Sequence, residues 1–579
     1  MRFRIHGIAV LLLVSCVTFN SSVAQQTADL ILRGGKVVTV DEQFPGGEAI
    51  AVAGDKILAV GTDDDLLMFA DDDTEFIELN GRLVIPGFIE GHGHFVGLGQ
   101  AKMMLDLTKA ESWDDIVDQV ADAARITPPG EWIIGRGWHQ EKWSQRPEPN
   151  VEGYPVHDQI SAVSPNHPVL LTHASGHMCF ANDYAMRMSE IDADTKPPSG
   201  GEILHAEDGR PIGVFRETAQ GLIRRAQSRD ESEMTAEDRQ RLALRAVELA
   251  TQECLENGIT SFQDAGSSFA TIDRFTQLAD EGKLRVRMWV MVRDHLSLME
   301  DNLPRVQKIR HGENFLTVNA IKLSLDGALG AHGAWLLMPY SDMPNSEGLN
   351  TAPIETAEEL AKLAVKNGYQ YCIHAIGDQA NRKVLDIFEK TFNDNPSIQP
   401  RRWRIEHAQH LHPDDIPRFG ELGVIASMQG IHCTSDAIYV LQRLGPRRSE
   451  EGAYVWQKLM QSGGVVTNGT DAPVEDIDPI ASFYATVTRK LKDGTAFYPD
   501  QCMSREEALE SYTMSCAYAA FEEDIKGSLT PGKLADIVVL SHDIMTCPEE
   551  EIQDARVDYT IVGGKVAWDR AKAEAERDE

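Results

Sequence analysis

Polar and apolar positions along this chain follow two rhythms. Around residues 28–41, Asp-Leu-Ile-Leu-Arg and Lys-Val-Val-Thr-Val flank Gly34-Gly35, so short apolar runs meet at a glycine turn. Residues 49–60 repeat the pattern around Gly54-Asp55, and residues 76–79 lead into Asn80-Gly81, a favoured hairpin dipeptide. The same rhythm returns at residues 532–540 and 557–567, with Gly563-Gly564 as the turn. Short strands at both ends predict one small β-sandwich, built from residues 27–82 and 528–579, that clasps the middle. Between them helix and strand alternate. Residues 236–257 are an amphipathic helix closed by Gly258, and residues 357–367 are another, closed by Gly368. Strands are expected at residues 84–95, 259–264, 284–292, 316–325, 369–375, 402–407, 424–428 and 464–470. Eight such units imply an α/β chain whose parallel strands close into a (β/α)8 TIM-like barrel over residues 83–527. An open doubly wound sheet would need a glycine-rich phosphate turn after an early strand, and the sequence has none. Residues 105–225 break the alternation. They are rich in Trp, His and Pro and read as an irregular insertion after the first barrel strand, placed to act as lid and pocket wall.

At 579 residues the chain exceeds what one hydrophobic core supports, about 250–300 residues. A net charge of −35 argues against nucleic acid or an anionic membrane surface as partner, since both require a basic footprint. The N-terminus reads as a signal peptide over residues 1–24. Arg2 and Arg4 precede an apolar stretch that starts at residues 8–14 and fades by Phe19, and Ser22-Val23-Ala24 is a small-residue cleavage site. This predicts export, to the periplasm. Leu13-Val14-Ser15-Cys16 also resembles a lipoprotein box, so a lipid anchor at Cys16 stays open. No later stretch is long and apolar enough to span a bilayer. The seven cysteines beyond Cys16 have no regular spacing, which predicts free thiols rather than a disulfide framework.

Candidate chemistry gathers at the ends of the expected strands. His92 and His94 flank Gly93, and residues two apart on a strand share a face, so both imidazoles can reach one cation. Later strands end in Lys322, His374, His407 and Asp471. Each has an ordinary reading: a surface lysine, two core histidines, a helix cap. Six ligand-type residues at the strand ends of one alternating chain are harder to attribute to coincidence. Two positions earlier stand Ala320, Cys372, Ile405 and Gly469, expected as an inward layer beneath the ligands.

Taken together, Pro-Gly-Phe-Ile-Glu-Gly-His-Gly-His (86–94), the lysine strand, Ile-His-Ala-Ile-Gly-Asp (373–378), Ile-Glu-His-Ala (405–408) and Asn-Gly-Thr-Asp-Ala-Pro (468–473) resemble the amidohydrolase superfamily. The terminal β unit and the insertion resemble its branch that includes N-substituted formamide deformylase, amidohydrolase family 3. The resemblance implies that His92, His94 and Asp471 bind a buried metal, that His374 and His407 bind a second, and that Lys322, carboxylated by carbon dioxide, bridges them. Nitrogen and carboxylate ligands suit zinc, with manganese or iron as alternatives. The implied reaction is hydrolysis of a non-peptide C–N bond, amide, N-acyl or N-formyl, in a small molecule by metal-activated hydroxide. Asp471 would be the catalytic general base and then acid. Substrate contacts are expected from Trp138, His139, His173 and His177 of the insertion, with Trp143 nearby, and from Asp326. Relatives often carry Ser-Arg where this chain has Ala331-His332, which puts in doubt any substrate contact by that arginine. Two other readings are carried. Deaminases of the superfamily resemble one another in placing a glutamate three residues after the fifth-strand histidine, where this chain has Gly377. An exported, non-catalytic solute-binding barrel would have lost some of the six ligands. Assembly as a homodimer is left open.

Overall fold

The computed structural model describes residues 26–44, 46–140, 143–173, 178–198, 201–330 and 332–578. The signal-peptide and Cys16 readings therefore lie outside the described residues. Eight parallel strands form the central sheet: β1 (Phe88–Gly93), β2 (Ile259–Ser267), β3 (Arg287–Val292), β4 (Leu316–Ser324), β5 (Gln370–Ala375), β6 (Arg404–His407), β7 (Ile425–Ser427) and β8 (Val465–Thr467). Each ladders to the next in chain order. The seam between β8 and β1 is bridged just beyond the ladder, by Gly91 N–H to Asn468 O (3.0 Å) and Asp471 N–H to His92 O (2.8 Å). The sheet is a nearly closed TIM-like barrel, and the bonds that close it hold His92 and Asp471 level with each other.

The expected first strand, residues 84–95, divides at Pro86-Gly87. Leu83–Pro86 belongs to another sheet, and β1 starts at Phe88. The break is steric: a Cβ on Gly87 would lie 2.2 Å from Thr260 Oγ1, so only glycine lets β1 enter against β2. The long helix Ala236–Glu256 is capped by Thr235, whose hydroxyl accepts from Asp238 N–H. Gly258 (φ +76°) then turns the chain into β2. Among the described residues no helix is long and apolar enough to cross a membrane. The seven described cysteines are free, five of them buried.

Strands from both chain ends share one sheet. Its order is Lys565–Asp569, Val557–Val562, Ile537–Leu540, Leu83–Pro86, Lys36–Val38, Gly46–Gly47. A four-stranded sheet, Lys56–Gly61, Ala49–Ala53, Leu30–Arg33 and Glu75–Glu78, contributes with it to one buried cluster that includes Leu32, Val52, Val84, Ile537 and Ile561. This unit is fastened to the barrel by Arg287 of β3, whose buried guanidinium pairs with Asp536 (2.7 and 3.0 Å). Ending the chain after Ser528 should strip Leu83–Pro86 of one of its two partner strands, Ile537–Leu540, and leave Arg287 without a counter-charge. Stranding one buried ion costs about 3–5 kcal/mol, and the opened edge adds to the loss. Chemical denaturation should show that decrease; a truncated protein as stable as the full chain would refute the clasp.

The insertion is more regular than its sequence suggests. Six strands run in the order Gly201–His205, Pro211–Glu217, Met178–Ala181, Val169–His173, Ile133–Trp138, Leu105–Asp106. Helix Trp113–Ile126 is capped by the Ser112 hydroxyl, which accepts from Asp115 N–H. Trp113, Trp138, Leu171, Phe180 and Val214 form a core separate from that of the barrel. The strands are short, and Gly135 and Gly137 stand where alternation would place side chains. A Cβ on Gly137 would meet Thr108 at 2.5 Å, so close strand approach removed the period-two signal.

Candidate metal centre

Ligand atoms of His92, His407 and Asp471 all lie within 4.8 Å of one another, on side chains that are buried. Asp471 Oδ1 is 3.6 Å from His92 Nε2 and 3.2 Å from His94 Nε2. The His407 ring centroid is 4.6 Å from that of His92 and 4.4 Å from that of His374. Lys322 is 3% exposed, and its amine makes no hydrogen bond or ion pair among the described residues. Register places it beside Cys372, two positions before His374 is reached from β4. The structure therefore brings the six residues together at the C-terminal end of the barrel.

His92 Nε2, His374 Nε2 and Asp471 Oδ1 are buried and make no well-formed hydrogen bond, although His94, Asp326 and one another stand 3.2–3.6 Å away. Buried polar atoms are rarely left so. Burial, reinforced by the Lys322 charge, pushes His92 down to about 4. Burial, with His374 and His92 beside it, holds His407 well below the ordinary histidine value. Both imidazoles are thus neutral at pH 7 and carry a free lone pair, the form that binds metal. Burial alone would raise Asp471, but His94 close to its carboxylate and the neighbouring His92, His407 and His432 hold it below the usual carboxylate range. Burial also lowers Lys322, against the pull of Glu406 and Asp471. Neutral nitrogens, one carboxylate and a lysine whose amine is driven toward neutrality are a donor set that fits divalent cations.

Residues missed by sequence reasoning orient this set. Glu406 Oε2 contacts His92 Nδ1, which directs Nε2 inward as the free acceptor. Arg404 lies 2.7 Å from Glu406 through Nε, and its other nitrogens donate to Gln263 Oε1 (2.5 Å), Gly91 O (2.7 Å) and Ser427 Oγ (2.7 Å). Burial would raise Glu406; the Arg404 charge, with His92 and Lys322 beside it, holds it far below. His407 Nδ1 meets Gln429 Oε1 at 2.8 Å, and Gln409 Nε2 meets His432 Nδ1 at 3.0 Å. Glu90 accepts from Thr470 N–H (2.6 Å) and hydroxyl (3.1 Å), and burial pushes it up to about 8. The expected inward layer holds for Ala320 and Cys372, which pack together with Trp289. It fails for Ile405, which joins the cluster on the helix side of the barrel. On β6 it is Arg404 and Glu406 that share the buried network with Gln263 and Gly91. His407 then adopts φ +75°, which breaks strand alternation and lets it join the other ligand candidates.

Glu406→Gln should lower metal affinity about 10–100-fold by loosening His92. It should also cost about 3–5 kcal/mol of stability, because Arg404 keeps its charge in a buried site. Chelator competition and denaturant melts measure the two effects; unchanged metal retention would remove Glu406 from the orienting role.

The expected substrate contacts fare differently. Trp138 is fully buried in the insertion's core, donates to Leu171 O (3.0 Å) and stacks on Trp143 at 6.1 Å. It is a packing residue, not a pocket surface, because its indole N–H is already satisfied inside the insertion sheet. His173, also buried, lies against Trp138 (4.7 Å) and His139 (4.6 Å), with Nε2 3.2 Å from Gln140 Oε1. His177 falls outside the described residues. Asp326 accepts from the backbone N–H of Trp335 (2.9 Å), Ile376 (3.0 Å) and Gly377 (2.8 Å), and lies 3.4 Å from His374 Nε2. With three backbone donors filling its oxygens, it pins the turn after β5 and seats His374 rather than facing substrate. His332 turns to Asp342 (3.2 Å), which also pairs with Arg443.

A family model described as "Amidohydrolase family" matches residues 75–567. This chain belongs to the amidohydrolase family. Family membership makes it a hydrolase. It is 32% identical to Protein LONG AFTER FAR-RED 3 of Arabidopsis thaliana over 93% of this chain and 91% of that protein. It is 26% identical to the N-substituted formamide deformylase of Arthrobacter pascens, over 94% and 99%. Among solved structures, an uncharacterized metal-dependent hydrolase from Pyrococcus furiosus superposes with a TM-score of 0.70 at 25% identity, covering 89% of this chain and all of that one.

Proposed function

We propose that this amidohydrolase cleaves a non-peptide C–N bond of a small molecule, an amide of the N-acyl or N-formyl class, at the cluster of six residues. The observation that carries the reading is the convergence of buried His92 Nε2, His374 Nε2 and Asp471 Oδ1, none with a well-formed hydrogen bond, beside a buried Lys322. His92, His94 and Asp471 would hold one divalent ion, zinc by ligand chemistry. His374 and His407 would hold a second, with Lys322 as the bridge after its neutral amine has added to carbon dioxide and lost a proton. Bound ions supply Lewis acidity, which makes water nucleophilic near neutral pH and polarises a carbonyl. The chain's own residues do the rest. Asp471 accepts a proton from the attacking water and returns it to the leaving nitrogen. Glu406 and Gln429 keep the His92 and His407 rings in one tautomer. The formyl group named for the Arthrobacter pascens relative makes N-formyl amides the first substrates to test.

Deamination is disfavoured by space as well as by sequence. A Cβ on residue 377 would stand 2.1 Å from Trp335 O, so the glutamate of that chemistry has no room. Export follows from the N-terminal pattern and is tested by the mass of the mature N-terminus, which separates cleavage after Ala24 from lipidation at Cys16. For the reaction, metal analysis of the purified protein should find two divalent ions per chain. A panel of N-formyl, N-acyl and cyclic amides should then yield turnover. Bound metal with no turnover on the panel would favour solute capture, and ammonia released from amino-heterocycles would favour a deaminase.

A further inference from the structure

A half-open cavity of about 570 Å³ lies beside the metal centre but shares none of its six residues. Its walls come from residues 337–341 after β4, Asp378 and Arg382 after β5, residues 410–413 after β6, and residues 444–448 with Glu451 after β7. It therefore opens on the same face of the barrel as the metal centre, and its volume is that of a small-molecule site.

Leu337, Met338, Pro339, Leu411 and Leu444 make part of the lining apolar. The polar part is cationic in a chain of net charge −35: three arginines stand against Asp378 and Glu451. Glu451 is taken by Arg447 (3.0 Å), and Asp378 accepts from Leu337 N–H (2.8 Å) while burial raises its pKa. Arg448 donates only to neutral oxygens, including Met338 O (2.9 Å) and Pro339 O (2.9 Å), and has no carboxylate partner among the described residues. Its Nη1, with two hydrogens, makes that single bond to Met338. Arg382 meets Asp415 through Nε (2.8 Å), which leaves both terminal nitrogens without a bond among the described residues. His410 is 2% exposed, lines the cavity, and has a partner for neither ring nitrogen. A guanidinium with no carboxylate in hydrogen-bond contact and Asp378 as its nearby counter-charge, a second with free terminal nitrogens and an unsatisfied buried imidazole beside apolar walls describe a receptor for an anion with a hydrophobic body.

We propose that this cavity is a binding site for a small organic carboxylate with an apolar body, distinct from the metal centre. Its wall is shared with the ligand strands. His410 stands three residues beyond His407, and its N–H donates to Ile376 O (3.0 Å), two residues beyond His374. Asn381 ties the same segments together, donating to Ala375 O (3.1 Å), Gly377 O (2.9 Å) and His410 O (3.3 Å). An occupant thus rests on the backbone that carries two of the metal-centre histidines.

The test uses the full-length protein with its metals as purified. Crystals are soaked with 4-bromophenylacetate, and anomalous scattering locates the bromine. Calorimetry measures the same probe on the parent protein, Arg448→Met and His410→Phe, with phenethylamine as the cationic control. The expected result is bromine in this cavity with the carboxylate turned to Arg382 and Arg448. Affinity should fall at least tenfold in both variants, and phenethylamine should not bind. Arg448 also braces residues 338–341, so His410→Phe and the parent soak keep the test valid if Arg448→Met does not fold. Bromine only at the metal centre or nowhere, a peak with no calorimetric binding, or equal binding of phenethylamine would each overturn the proposal.

Discussion

Lys322→Ala is expected to lose bound metal and activity together, with activity falling to background. Lys322 is the one ligand candidate that cannot serve in its ordinary form, since a lysine amine with a pKa near 10.4 is a cation at neutral pH. The site works against that form. Burial at 3% exposure disfavours the charge, and Glu406 and Asp471 pull the other way without pairing with the amine. A buried amine driven toward neutrality is nucleophilic enough to add carbon dioxide, and the product is an anionic oxygen ligand. On the proposed reading alanine removes both the amine and the bridge, so the His92, His94 and Asp471 group would lose its link to His374 and His407. Short carboxylates, formate or acetate, should restore part of the activity by entering the space and supplying the missing oxygens. The intact mass of the parent protein, measured without acid, should exceed that of the mature chain with its bound metals by one carbon dioxide. Full activity of Lys322→Ala with no additive would refute the bridge. Loss of activity with both metals retained would assign Lys322 to the reaction itself rather than to holding the centre.

The barrel was legible because helix and strand alternate and several boundaries are punctuated: Gly258 before β2 and Gly368 before β5 mark ends that both periodicity and conformation respect. The six ligand candidates were legible because each falls near or just beyond the C-terminal end of an expected strand, where barrel side chains converge. What lay below them was less so. Sequence alternation assigned Ile405 to the interior, yet the left-handed conformation at His407 resets the parity, so Arg404 and Glu406 occupy it. The available signal was two opposite charges, Arg404 and Glu406, at alternate positions of a short strand that must lie in the barrel wall, which a buried ion pair reconciles. Asp326 shows a different limit. Its residue type suits substrate binding, but its role is set by three backbone N–H groups from positions 335, 376 and 377, and no local pattern reveals such donors. Trp138 and His173 lie in a sheet whose glycines hid its alternation, so a folded core was read as a pocket wall.

Asp471→Asn should lower kcat by about 10²-fold or more, the scale of a lost general acid–base group. Asp471 leaves β8 after Gly469 and Thr470, and its φ of +58° turns the side chain back over the mouth of the barrel. A larger residue at 469 would not allow this, because a Cβ there would stand 2.5 Å from Glu90 Oε1 and 2.7 Å from His92 N. The side chain ends with Oδ1 within 3.2 Å of His94 and 3.6 Å of His92, held ionised by its neighbours against the cost of burial. Asparagine preserves volume and the ability to accept a hydrogen bond at one oxygen. It lacks a basic oxygen that can take a proton from water and pass it to nitrogen. Proton transfer belongs to the transition state, so the loss should fall on kcat and exceed any rise in KM. Substrates with a good leaving group, such as a nitroanilide, should lose less, since their departing nitrogen needs less help from an acid. Asp471 is also a ligand candidate, so metal content is measured on the same sample. A variant that keeps its metals and turns over amides at the parent rate would show that another group shuttles the proton. A variant that keeps its metals and loses activity equally on all leaving groups would confine Asp471 to activation of the attacking water.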